Sequence, residues 1–181
     1  MHPLPLVLGA VQAATAMRQQ AERVDRYNQA LQRSQELGLP LLVVGAPAYG
    51  SPFRAHPCGD VTLDIREAVL YQCPEGGIIS DVRDIPFPDG YFGAIFCSHV
   101  LEHLPTRDDI LRAWSEMNRI SNGNVFIAGP SRLGLWNWVM SEHSMFVTQK
   151  GTGELEIGSP ISPLERLGAV GLAISAFLLA H

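Results

Sequence analysis

The hydrophobic positions change period along the chain. Across residues 12–37 they recur at intervals of three and four, as Ala14, Met17, Ala21, Val24 and Leu31 with Asn28 on the same line. Arg18, Glu22, Arg26 and Arg33 lie off that stripe. The spacing predicts one long amphipathic helix with a narrow apolar face. Gly38 and Pro40 end it. Short apolar runs bounded by turn residues follow at 41–45, 61–64, 77–81, 94–97 and 124–128. Their length and flanks suit strands buried on both faces. Between the last two the period returns to that of a helix. Ile110, Ala113, Trp114, Met117 and Ile120 form its apolar face, Thr106 caps its start, and Ser121-Asn122-Gly123 ends it. Strands alternating with helices predict a parallel α/β sheet.

After Pro130 the pattern loosens. Residues 145–148 and 154–157 can pair as a hairpin across Lys150-Gly151-Thr152-Gly153. Ser162-Pro163-Leu164-Glu165 is a capping box with proline at the first helical position, and residues 167–180 are uninterruptedly apolar or small. A helix apolar all round must be buried in something. Protein core, oligomer interface and membrane are all open as its cover. The chain therefore divides into an N-terminal helix (1–38), an α/β core (39–130), a hairpin region (131–161) and an apolar C-terminal helix (162–181).

Composition narrows the partners. A net charge of −5, with no run of arginines, argues against a nucleic-acid backbone. Cys58, Cys73 and Cys97 are odd in number and form no CxxC pair. They read as reduced thiols of a cytoplasmic protein, neither a disulfide framework nor a zinc site. The apolar ends leave membrane association, a protein partner or a homo-oligomer open.

The strongest local signal runs from Asp81-Val82-Arg83-Asp84-Ile85-Pro86-Phe87-Pro88-Asp89-Gly90-Tyr91-Phe92 into Gly93-Ala94-Ile95-Phe96-Cys97-Ser98-His99-Val100-Leu101-Glu102-His103-Leu104. It resembles the small-molecule branch of class I S-adenosylmethionine (SAM)-dependent methyltransferases, where a strand ends in Asp, "LPFPD-x-x-F" follows, and the next strand leads into "VLEH". The resemblance implies a trimmed Rossmann-like α/β fold. It further implies that Asp81 reads the adenine amino group beside the N–H of Val82, that Asp64 bridges the ribose hydroxyls, and that Gly45 belongs to the cofactor loop. Cys97, Ser98 and His99 fall at the end of the fourth strand, the edge where open α/β sheets bind ligands. His99 there is a candidate general base on an acceptor hydroxyl. Glu102 and His103 recur in the family motif, where they order the loop. Trp136, Trp138 and His143 follow the fifth strand, where the family builds its substrate wall. The acceptor so implied is a small or lipid-like molecule.

The chain departs from the family in its first loop. Val43 replaces the acid, Pro47 stands where a second glycine belongs, and residues 51–60 are too few for a normal helical crossover. Proline removes a backbone donor and glycine's close approach. Gly93 replaces an Asp common before the fourth strand. An eroded loop opens a second class of function, a catalytically inactive structural or assembly subunit docked through its apolar termini. His99-Val100-Leu101-Glu102-His103 also matches H-x-x-E-H, the inverted zinc-peptidase motif, with Glu116 or His143 as conceivable third ligands. Its place directly after a strand favours the methyltransferase resemblance, so no metal is assigned.

Overall fold

The apolar runs fold as five parallel strands: β1 (Leu41–Val44), β2 (Val61–Asp64), β3 (Gly77–Ile79), β4 (Ala94–Ser98) and β5 (Val125–Ala128). Their order across the sheet is β3-β2-β1-β4-β5, with β1 central between β2 and β4. This is the doubly wound order that places a switch point at β1/β4. The computed structural model describes residues 4–47, 56–132, 134, 137–138, 143–151 and 153–178. Strands β1, β4 and β5 are buried throughout because helices cover both faces. On one face α1 (Leu4–Leu37) lies over Leu41, Val43, Phe96 and Phe126. On the other, α3 (Arg107–Ser121) packs Ile110, Ala113, Met117 and Ile120 against Leu42, Ile95 and Val125. Thr106 caps α3 by accepting from the N–H of Asp109, and Asn122 closes it in the left-handed conformation. A short helix, α2 (Glu67–Leu70), bridges β2 and β3.

The long helix forms, but it begins at Leu4 and presents a different face. Met17 is 58% exposed, and Ala14, Ala21, Val24 and Asn28 are exposed with it. The side facing the sheet carries Arg23, Tyr27, Ala30 and Ser34. Buried polar groups are tolerated when they find partners. Arg23 Nε donates to Ser98 Oγ at 3.1 Å, Tyr27 donates to the carbonyl of Cys58, and Ser34 donates to that of Leu39. Counting apolar residues alone misses such a face. Gly93 is explained at the same contact: a Cβ there would lie 2.9 Å from Cα of Ser34, so an Asp would push α1 off the sheet.

The hairpin forms as β6 (Met145–Lys150) and β7 (Glu154–Pro160). Gln149 of β6 then serves the open edge of β5. Its Oε1 accepts from the N–H of Ile127 and its Nε2 donates to the carbonyl of Val125. One side-chain amide thus occupies ladder positions that a sixth strand would take.

One further expectation is corrected. Cys58 and Cys73 form a disulfide, while Cys97 is free and buried. The parallel pairing of β2 with β3 brings the lead-in to β2 beside the turn after α2, leaving the two Cα atoms 5.9 Å apart, inside the bridging range. The expected helix at the C-terminus, α4 (Pro163–Leu178), begins with its capping box made in both directions between Ser162 and Glu165. Within this chain its described side chains are only partly covered. Leu164, Leu167 and Leu172 are exposed, and Ala169 is its buried contact among the described side chains. No helix among the described residues is long and apolar enough to cross a membrane. Most of the abbreviated crossover, with the glycine-loop residues after Pro47, lies outside the described residues; 56–59 carry no regular element.

Candidate active site

Each strand of a parallel sheet ends at the same edge, so residues at or just past the ends of β3, β2, β1 and β4 are brought side by side. Here these are Asp81, Asp64, Gly45 and His99. All four line one cavity of about 590 Å³, with Val82, Val100 and His103 also on its wall.

Gly45 turns the chain out of β1 at φ +92° and donates its N–H to the carbonyl of Leu63 at 2.8 Å. A Cβ at this position would sit 2.7 Å from the carbonyl oxygen of Ser98 and 2.8 Å from Cγ2 of Val100. Glycine is therefore required twice over, by its backbone angle and by the space it leaves. Pro47, two residues on, is buried and offers no donor.

The two acids share one local design, Asp-x-Arg. Asp64 accepts from the N–H of Arg66 at 2.9 Å and from its guanidinium at 3.2 Å. Its other oxygen accepts from the N–H of Ala46 at 3.0 Å, tying β2 to the loop after β1. Burial works to raise the pKa of Asp64, but these hydrogen bonds outweigh it and hold the carboxyl below its usual range. Asp81 accepts from the N–H of Arg83 at 2.9 Å and pairs with its guanidinium at 2.6 Å. That guanidinium also reaches Asp109 at 2.7 Å, which docks the start of α3 against the end of β3. The hydrogen bonds from Arg83 are the main reason the Asp81 carboxyl lies below its usual range. Both arginines line the cavity; the Arg66 side chain is 68% exposed and so easily turned aside. Sequence reasoning passed over them, although the repeated Asp-x-Arg spacing was a visible sign.

His99 has φ +53°, a left-handed conformation uncommon for a residue with a Cβ. Its Nδ1 lies 2.9 Å from Glu102 Oε1, and its Nε2 is buried without a hydrogen-bond partner. Glu102 is itself almost fully buried. Burial opposes its charge, yet attraction to His99 overrides this and keeps its pKa below the ordinary value. A histidine with a carboxylate close to one nitrogen and no partner on the other is equipped to accept a proton.

Cys97 and Ser98 lie elsewhere. Cys97 belongs to the core beneath α3, and burial pushes its thiol pKa up, away from reactivity. Ser98 is buried on the α1 side against Arg23. Neither lines the cavity. Trp138 packs on Phe146 and donates to the carbonyl of Arg132, also away from the cavity, and Trp136 lies outside the described residues. His143 is buried beside His103, their ring centroids 5.0 Å apart. The H-x-x-E-H stretch is not a continuous α-helix: it spans the end of β4 and a 3₁₀ turn at Leu101–His103. That arrangement excludes the inverted zinc-peptidase geometry, which needs both histidines on one helical face.

Residues 55–127 match the family described as Methyltransferase domain. This stretch is thus similar to a methyltransferase domain. The match begins at the lead-in to β2 and ends within β5, so it holds Asp64, Asp81, His99 and Glu102 but not Gly45. No curated protein matches the chain. Two solved structures are similar in part. The PH0226 protein from Pyrococcus horikoshii OT3 is 13% identical, with 81% of each chain covered and a TM-score of 0.41. The protein of the DhpI-SAM-HEP complex is 18% identical, with 91% of this chain and 86% of that one covered and a TM-score of 0.34. The fold rests on the chain's own strand order, not on these overlaps.

Proposed function

We propose that this protein binds SAM along the carboxyl edge of the sheet and transfers its methyl group to a small or lipid-like acceptor. The supporting observation is that Asp81, Asp64, Gly45 and His99 line one cavity in the order of the strands that carry them. An extended nucleoside ligand needs acceptors for its amino and hydroxyl groups, and the two carboxylates supply them. The space left by the missing Cβ of Gly45 is a cradle for close backbone approach. These residues fit the cofactor. When bound, it supplies a methyl group on a sulfonium, chemistry that needs alignment more than acid–base help.

The protein's own part is then threefold. Asp81 and Asp64 hold and orient the nucleoside, Arg66 turning aside to release the inner carboxylate. The walls from Val82 and Val100 exclude water from one side. His99 accepts the acceptor's proton on Nε2 as the new bond forms, with Glu102 stabilising the charged imidazole through Nδ1.

Two observations favour a second reading, a catalytically inactive subunit docked through its apolar ends. Pro47 removes a donor from the first loop, and both acids are already satisfied by arginines. Thermal unfolding with S-adenosylhomocysteine separates the two. A ligand that binds only the folded state raises the midpoint with concentration. Such a rise, absent in Asp64→Ala, supports the cofactor site. A midpoint unmoved at saturating ligand supports the subunit.

A further inference from the structure

The wall of the cavity beyond His99 holds two histidines that methyl transfer does not use, set beside the buried Glu102. We propose that Glu102, His103 and His143 bind a divalent transition-metal ion of the zinc class, at a position opening on the cavity through His103. One ligand atom from each of the three residues falls within 4.8 Å of the others. Two histidines and one carboxylate are a donor set suited to Zn²⁺ and its neighbours, and three protein ligands leave a coordination position open.

The backbone holds these residues together. His103 and Glu102 are consecutive in the 3₁₀ turn. The N–H of Ser144 donates to the carbonyl of Glu102 at 2.7 Å, and its hydroxyl donates to the carbonyls of Glu102 and Leu104. That pins His143 against the turn. Arg166 of α4 donates to the carbonyl of His143 from the other side. The site is thus assembled from residues distant in sequence and held by backbone contacts independent of any ligand side chain.

Two side chains are also in the right chemical state. Nδ1 of His143 lies 3.0 Å from the carbonyl of Asn137, which can only accept. The proton is therefore on Nδ1, and Nε2 keeps its lone pair. This is the outer-shell contact that metal-bound histidines make. Glu102 is 1% exposed, and its Oε1, although 2.9 Å from His99 Nδ1, is out of line for a hydrogen bond and has no other donor. A buried carboxylate oxygen without a donor is costly, and a cation removes that cost. His103 is exposed, so its ring is free to turn inward. Some closing is needed, since ligand atoms around Zn²⁺ with bonds of about 2.0–2.1 Å lie about 3.3 Å apart.

The site stands whether or not the protein transfers methyl groups. The test is titration of the full-length, untagged, chelator-treated protein with Zn²⁺ by calorimetry, and with Co²⁺ by visible absorbance. One equivalent should bind, with Co²⁺ giving the visible bands of a low-coordinate nitrogen–oxygen site. His103→Ala changes an exposed side chain and should leave the fold intact by circular dichroism, yet weaken Zn²⁺ binding about tenfold or more. Glu102→Gln should abolish the Co²⁺ bands. Absence of binding at millimolar Zn²⁺, or equal affinity in wild type and His103→Ala, would overturn the proposal and leave the cluster as a packed ion-pair network.

Discussion

His56 should make this protein acid-sensitive. Its ring is buried between Phe96, which it meets edge-on at 5.2 Å, and the neighbourhood of Arg23. Burial disfavours the charged imidazole, the Pro57 carbonyl partly opposes this, and the charges of Arg23 and His99 add to it. The pKa falls from 6.5 to about 4. A folded-state pKa below the unfolded one means that the unfolded chain binds the proton first. Stability is therefore fully present above 6.5 and is lost as pH falls from there toward 4. At about 1.4 kcal/mol per pKa unit, the full span is worth about 3 kcal/mol. Other carboxylates and histidines titrate in the same window, so the comparison must be with His56→Phe, which keeps the ring contact and removes the titration. Urea unfolding at about pH 7.5 and about pH 4.5 should show wild type losing about 2–3 kcal/mol more than the variant. Equal losses would refute the reasoning, because they would mean His56 takes up its proton without leaving the fold.

Three further outcomes follow from the structure. Gly45→Ala should cost about 1–3 kcal/mol in urea unfolding, from its positive φ and its approach to Ser98 and Val100, and should remove cofactor binding. Arg66→Ala should change stability by less than about 1 kcal/mol, since the arginine's side of the pair is exposed and Asp64 keeps the N–H donors of Ala46 and Arg66, and should leave SAM affinity equal or tighter by calorimetry. Weaker binding would show that Arg66 contacts the ligand instead of covering Asp64. Cys58→Ser should lower stability by about 3 kcal/mol under non-reducing conditions, the value for a loop of this length, with no difference from wild type once reductant is added.

The parallel core was legible because its signals are local. Apolar runs of strand length, the Thr106 cap and the α3 face follow from periodicity and turn chemistry. The Ser162 capping box is read the same way. What escaped depends on residues distant in sequence. Arg23 is buried because Ser98 waits at the end of β4, and nothing near Arg23 in the chain announces that. The Cys58–Cys73 bridge needs the β2–β3 register before the two residues can be seen to meet. In the site, Asp64, Asp81 and Gly45 came from a resemblance and His99 from its place at the end of a strand, and one cavity groups all four. Cys97 and Ser98 do not line the cavity because successive residues of a strand point to opposite faces, one into the core under α3 and the other toward α1. His143 was noted as a conceivable ligand, but only the Ser144–Glu102 bond shows it seated against the 3₁₀ turn.

The central claim is that the carboxyl edge of this sheet still binds SAM despite its altered first loop. Calorimetric titration of the purified protein with SAM and with S-adenosylhomocysteine, with Asp81→Ala alongside, tests it most directly. The account expects micromolar binding of both, lost in the variant while its unfolding curve stays cooperative. No heat with either ligand, from protein shown to be folded, would contradict it and leave a methyltransferase fold without its cofactor.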